Sequence, residues 1–285
     1  MSEKAVATAS PEDLPILYIR PSSMSLSAAL GELWAHRELL AFFAWRDLKV
    51  RYKQTALGVA WALLQPLFMM IVFSVFFGNL AKVSSDGLPY PIFAYCGLLP
   101  WQLFAYALTN AANSLVSNER LVTKVYFSRV TLPISSVLAG LVDFAIAFAL
   151  LLVLMAYYGC APSGGIVALP FFLLLAVGAA MAAGLGLSAL NVRYRDIRYA
   201  LPFLTQVWLF VTPIAYPSSL VPEGWRTLYA LNPMVSVVDG FRWALLGAPS
   251  PGATTVAAST LVAAAGLLAS MRYFLRVERG FADVV

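Results

Sequence analysis

The chain has 285 residues, of which 61% are apolar (AVILMFWYC) and only 12% charged, with a net charge of +5. Soluble domains run at about 45–50% apolar and about 25% charged, and the mean hydropathy here is +0.79. Too little charge is present to cover a soluble enzyme of this size, and a disordered or collagen-like chain is excluded with it. An integral membrane protein is expected.

Residues 1–31 begin polar and proline-punctuated, without an apolar run long enough for a secretory leader, and are expected to form a cytoplasmic tail. Residues 32–57 (ELWAHRELLAFFAWRDLKVRYKQTAL) follow as an amphipathic interface helix. Leu33, Trp34, Leu40, Phe43 and Val50 supply its apolar positions. Arg37, Glu38, Arg46, Asp47, Lys49, Arg51 and Lys53 supply its charge. Basic, aromatic helices of this kind lie in the headgroup plane. The cluster Arg46, Lys49, Arg51 and Lys53 reads either as an anchor to membrane lipid or as a contact for an anionic headgroup or a cytoplasmic partner, since both cations suit phosphate.

Residues 58–285 read as a membrane domain. A bilayer core of about 30 Å needs roughly 20 apolar residues as helix. Six segments qualify: 59–80, 91–113, 132–158, 166–191, 200–216 and 254–271. The fifth is interrupted by Pro202, Pro213 and Pro217, breaks that are tolerated in a membrane only where protein or a water-filled cavity satisfies the freed backbone. With an inside amino terminus, sixteen of the 19 Lys and Arg fall inside and only Lys82, Arg226 and Arg242 outside. Cytoplasmic loops collect these residues, so both termini are expected in the cytoplasm. The basic total then reflects topology and gives no reason to expect nucleic acid as a partner.

Between the second and third segments, residues 117–129 (SNERLVTKVYFSR) carry Glu119, Arg120, Lys124 and Tyr126 among apolar neighbours. This is either a short amphipathic helix that plugs into a partner or a solvated turn. Asp143 falls near the middle of the third segment, where a carboxylate costs about 2.5–3.5 kcal/mol on insertion scales. With no embedded Lys, Arg or His in view as a partner, a structural role hydrogen-bonded to Asn, Gln or Ser is favoured over a proton relay.

Aromatic residues recur at helical spacing: Trp61, Phe68 and Phe76 on the first segment, Trp101 and Phe104 on the second, Phe203 and Phe210 on the fifth. They read either as faces that stack on sugar rings or as interface markers and helix filling. Residues 218–247 form the longest outside connection and contain Trp225, Arg226, Asn232 and Pro233 between Pro and Gly breaks. Short re-entrant helices are expected there, as a gate over a pathway or as a passive cap.

Cys96 and Cys160 are too few for a disulfide framework, and a bond between them is not favoured. His36 is the single histidine, which leaves no zinc motif, and no G-x-x-x-x-G-K-[ST] phosphate loop occurs. The chain is therefore expected to have no cofactor of its own and to do no covalent chemistry.

Several motifs in order carry a resemblance: RDLKVRYKQT at residues 46–55 followed by Leu57-Gly58 and Trp61, YPIFAYCGLLPWQLF at 90–104, LNVRYRDIRY at 190–199, LNPM at 231–234 and RVERGFADVV at 276–285. With these the chain resembles the membrane subunit of type-2 ABC polysaccharide exporters, most closely the O-antigen exporter permeases. The resemblance implies an all-α, six-span subunit that forms a homodimer in the bacterial inner membrane and docks a separate ABC ATPase subunit holding ATP and Mg. It implies a glycan on undecaprenyl pyrophosphate as substrate, with teichoic acid or another lipid or drug as the alternative cargo of the same architecture. In that frame the 46–53 cations meet headgroup or partner, and residues 119–126 couple to the ATPase. The aromatics named above line the channel, and Trp225, Arg226, Asn232 and Pro233 belong to the gate.

Overall fold

The computed structural model describes residues 26–53, 58–125 and 127–281, with only the backbone described for 26–30 and 279. Tyr126, the first 25 residues and the last four of the closing motif lie outside the described residues. Among the described residues every regular element is helical. That outcome follows from composition, because an apolar segment in lipid must satisfy its backbone internally.

The elements in order are α1 (Leu26–Ala35), α2 (Arg37–Lys53), α3 (Ala60–Phe73) with a π-helical continuation (Ser74–Leu80), α4 (Tyr90–Ser117), α5 (Glu119–Lys124) and α6 (Thr131–Tyr158). After them come α7 (Leu169–Arg193), α8 (Asp196–Val211), α9 (Glu223–Tyr229), α10 (Pro233–Leu246) and α11 (Ala253–Val277). Local chemistry sets several ends. Pro91 opens α4 in its first turn, where its missing N–H is no loss. Gly159, at φ 68°, closes α6 in the left-handed conformation, and Cys160 N–H then reaches back to Met155 O at 2.9 Å. The Asn232 side chain accepts from Met234 N–H at 3.1 Å and caps α10.

Helix α4 is the axis of the bundle. Buried residues run along most of its length, and α3, α6, α7 and α10 all pack against it. Small residues let the axes approach: a Cβ on Gly184 of α7 would lie 2.8 Å from the Ala111 Cβ of α4, the close backbone packing that lipid-embedded helices depend on. A second cluster closes the basal end, uniting Leu33 and Phe43 with Leu115, Val122, Leu132, Ala189, Phe274 and Phe281.

Among the described residues five helices are long and apolar enough to cross a membrane: Ala60–Leu80, Tyr90–Ser117, Thr131–Tyr158, Gly164–Arg193 and Ala253–Val277. Each coincides with an expected segment. The expected fifth segment, 200–216, is instead the 16-residue α8 followed by non-helical chain. At 1.5 Å per residue α8 spans about 24 Å, short of a hydrocarbon core of about 30 Å. Pro213 causes the break: it biases the preceding Thr212 to extended backbone, observed at φ −99° and ψ 140°.

Helix α2 also departs from expectation. It does not lie flat across the ends of the spans. Phe43 packs on Phe127 at the base, with ring centroids 5.6 Å apart, and Arg51, two turns on, meets Asp143 near the midpoint of α6. The helix therefore runs alongside α6, with its carboxyl end inside the bundle's length.

Candidate functional site

Asp143 has the embedded cationic partner that sequence reasoning denied it. The Arg51 guanidinium forms an ion pair with Asp143 Oδ2, and the Tyr52 hydroxyl donates to Oδ1. Arg51 also lies over the Tyr106 ring of α4, 4.4 Å from its centroid. A cavity of about 390 Å³ opens beside the pair, bordered by Gln65 of α3, Gln102, Tyr106, Thr109 and Asn110 of α4, and Asp143 and Phe144 of α6. Of the expected partners, Gln65, Gln102 and Asn110 line the space without bonding the carboxylate, and among the described residues no serine borders it.

The four cations of the 46–53 cluster separate into two kinds. Arg46 donates to the neighbouring Asp47 Oδ1 at 2.8 and 3.0 Å and stacks over Phe43 at 4.9 Å; Arg51 is paired as described. Lys49 and Lys53 are exposed.

Helix α5 is a six-residue projection at the base. Val122, only 2% exposed, pins it to the basal cluster, while Glu119, Arg120 and Lys124 face outward. Glu119 in the first turn and Lys124 in the last oppose the helix dipole favourably. Arg129 N–H donates to Glu278 Oε1 at 2.8 Å, and the Arg129 guanidinium donates to the Glu278 carbonyl. This joins the start of α6 to the end of α11.

The aromatic candidates divide as well. Trp61, Phe68 and Phe76 are each more than half exposed along α3 and its π-helical continuation, as are Phe203 and Phe210 along α8. Trp101 and Phe104 are buried at 4% and 0%. Phe104 sits edge-on to Trp208 at 4.8 Å and Trp101 packs on Phe104 with ring centroids 5.4 Å apart, so both fill the subunit's own core, and Trp101 also borders the cavity beside Asp143.

The 218–247 connection folds as α9 and α10. Trp225 and Arg226 of α9 are exposed, with Arg226 lying 3.7 Å from Glu223. Asn232 and Pro233 lie inside: Asn232 Oδ1 accepts from Trp208 Nε1 at 2.9 Å and its Nδ2 donates to Thr212 Oγ1 at 3.1 Å. Twelve of the fourteen residues of α10 are buried, so this helix re-enters the bundle.

Arg242 corrects a second expectation. It is counted in sequence as an outside-loop cation, yet it is 2% exposed. Its guanidinium donates to the carbonyls of Phe93 at 3.3 Å, Pro213 at 2.5 Å and Ile214 at 2.7 Å, and stacks 3.5 Å above the Phe93 ring. It satisfies the carbonyls that the break after α8 frees. A second cavity, of about 480 Å³, lies beside it between Asp86, Ser219, Tyr229 and Asp239. The signal in sequence was Asp239 and Arg242 at i, i+3 in an otherwise apolar helix, since an embedded ion needs a partner.

Both cysteines are free thiols, Cys96 buried and Cys160 half-buried. Among the described residues no group of three His, Cys, Asp or Glu is placed to hold a metal ion.

Comparison with known proteins places this architecture. The chain is 33% identical over 257 residues to the O-antigen export system permease protein RfbA of Myxococcus xanthus, covering 89% of this chain and 98% of that protein. It is 28% identical to the RfbA protein of Klebsiella pneumoniae, covering 77% of this chain and 83% of that one. The polysialic acid transport protein KpsM of Escherichia coli is 24% identical, covering 70% and 78%. Residues 38–246, from the start of α2 to the end of α10, match the family described as ABC-2 type transporter. The match over residues 38–246 and the relation to the Myxococcus xanthus protein show that the chain belongs to the ABC-2 transporter membrane family.

Proposed function

We propose that this chain is the membrane-spanning subunit of an ATP-driven exporter that moves a lipid-linked, O-antigen-like polysaccharide across the bacterial inner membrane. The observation that carries the reading is the relation to the Myxococcus xanthus O-antigen export permease over 98% of that protein. The chain supplies a path and performs no bond chemistry. ATP and Mg belong to a separate ABC ATPase subunit, which docks on the outward face of α5 through Glu119, Arg120 and Lys124.

In this reading α8 is the sixth, shortened crossing, and α9 with the re-entrant α10 forms the gate on the outer side. Both termini face the cytoplasm, a reading that the Lys and Arg distribution supports. Two copies assemble with the exposed aromatics of α3 and α8 turned toward a shared channel. Rings of this kind stack on sugar faces while hydroxyls stay free to hydrogen-bond. Domain organisation follows the same scheme: tail to residue 31, then a segment to 57 whose α2 enters the bundle beside α6, and the transmembrane domain beyond.

Deleting the gene and locating the lipid-linked long-chain glycan tests the substrate. Glycan trapped in the cytoplasm with surface glycan lost is the expected result. Normal surface glycan, in a strain without a redundant exporter, overturns the polysaccharide reading and turns the search to teichoic acid, other lipids or drugs as cargo.

A further inference from the structure

Asp143 sits near the midpoint of a membrane-crossing helix, where an uncompensated carboxylate is costly. Both groups that compensate it come from α2: the Arg51 guanidinium and the Tyr52 hydroxyl. The pair is not sealed by packing. Here the Arg51 side chain remains 35% exposed and that of Asp143 17%, and both open onto the cavity of about 390 Å³. That volume falls in the range of small-ligand sites, about 300–1,000 Å³. Its remaining polar lining is Gln65, Gln102, Tyr106, Thr109 and Asn110, amides and hydroxyls able to donate to an oxygen-rich ligand. Lys49 and Lys53, exposed within one turn of Arg51, add positive charge to the approach.

We propose that this cavity is an anion site for a phosphate-bearing lipid headgroup, in which Arg51 is the anion ligand and Asp143 is a built-in competitor for it. Asp143 holds Arg51 and so ties the carboxyl end of α2 to α6. An arriving phosphate offers the same guanidinium two acceptor oxygens in the bidentate geometry that its fork fits, and α2 is released from α6 as the pair exchanges. The export reading enters only in naming the headgroup as a polyprenyl pyrophosphate; the competition stands without it.

Equilibrium binding to the full-length chain in phosphatidylcholine nanodiscs tests the proposal with two probes, geranylgeranyl pyrophosphate and dihexanoyl phosphatidylglycerol. Asp143→Asn should bind the phosphate probe about three- to tenfold more tightly than wild type, the scale of a partly solvated ion pair. Arg51→Gln should bind it at least as much more weakly. The probe that shows this pattern names the source of the phosphate, carrier lipid or bilayer lipid. Unchanged or weakened binding in Asp143→Asn, unchanged binding in Arg51→Gln, or no wild-type binding of either probe overturns the site.

A measurement that leaves the pair intact guards against a misfolded variant. Spin labels at Val50 and Val142, both exposed, in a Cys160→Ser background should show a broadened distance distribution when the probe is added. An unchanged distribution overturns the exchange. Surface glycan that persists after gene deletion would refute the export reading and leave these binding results standing, so the two failures are separable.

Discussion

Replacing Arg242 by methionine keeps most of the side chain's length and apolar contact but deletes the guanidinium. Three carbonyls lose a donor: Phe93, Pro213 and Ile214. Phe93 O lies inside α4 and retains the helix, whereas Pro213 and Ile214 lie in the non-helical stretch after α8 and depend on Arg242. Each buried carbonyl left without a partner costs about 1–3 kcal/mol. Two of them, together with the stranded Asp239, give a loss of about 3–5 kcal/mol, the scale seen when one partner of a buried charge network is removed. At about 2–4 °C per kcal/mol for a large domain, the unfolding midpoint should fall by about 10 °C. The assay is thermal unfolding of the purified chain in detergent, followed by tryptophan fluorescence. Gly97→Ala attacks the same clamp independently, because its Cβ would sit 2.8 Å from Arg242 Nη2, and it should also destabilise. An Arg242→Met midpoint within about 1 °C of wild type would show that water or a rearranged backbone satisfies these carbonyls, and the clamp would carry no weight.

Phe104→Ala, at a fully buried position, should cost about 3–5 kcal/mol of stability, visible in the same thermal assay. Trp61→Ala and Phe68→Ala, on the exposed face, should change stability by less than about 0.5 kcal/mol yet cut glycan export several-fold; the reverse split would remove those two from the channel. A cysteine at Lys124 should cross-link to a co-expressed ABC ATPase, and failure at every exposed position of α5 would remove its docking role. Glu278 gives a pH dependence. Burial holds its carboxyl above the ordinary glutamate range against the lowering effect of Arg129, so the fold favours the protonated form and loses stability as pH rises through about 4.3, the unfolded value. Glu278→Gln should therefore gain on wild type between pH 4.5 and pH 7, and a midpoint difference that stays constant with pH would contradict this.

Membrane class, helical architecture and five span positions were legible in the residues alone. The reason is local: in lipid each backbone group must bond within its own helix, so an apolar run of sufficient length fixes its own structure, and flanking Pro91 and Gly159 mark where it starts and stops. Pro213 was visible too, although its consequence for α8 was only part of the answer, because the carbonyls it frees are met by Arg242 from α10.

What the tertiary structure alone decided concerns faces and partners. Trp101 and Phe104 are buried while Trp61 and Phe68 are exposed, yet all four recur at similar helical spacing. Hydrophobic periodicity separates core from surface only when the surface meets water; a lipid-facing side is as apolar as the interior, and the distinction vanishes. Ion pairs are non-local in the same way. Arg51 reaches Asp143 across 92 positions and Arg242 reaches Phe93 across 149. Each embedded carboxylate or guanidinium announced in sequence that it needed a partner, since the membrane makes an uncompensated charge costly, but only the packing of α2 on α6 and of α10 on α4 determined which partner it found.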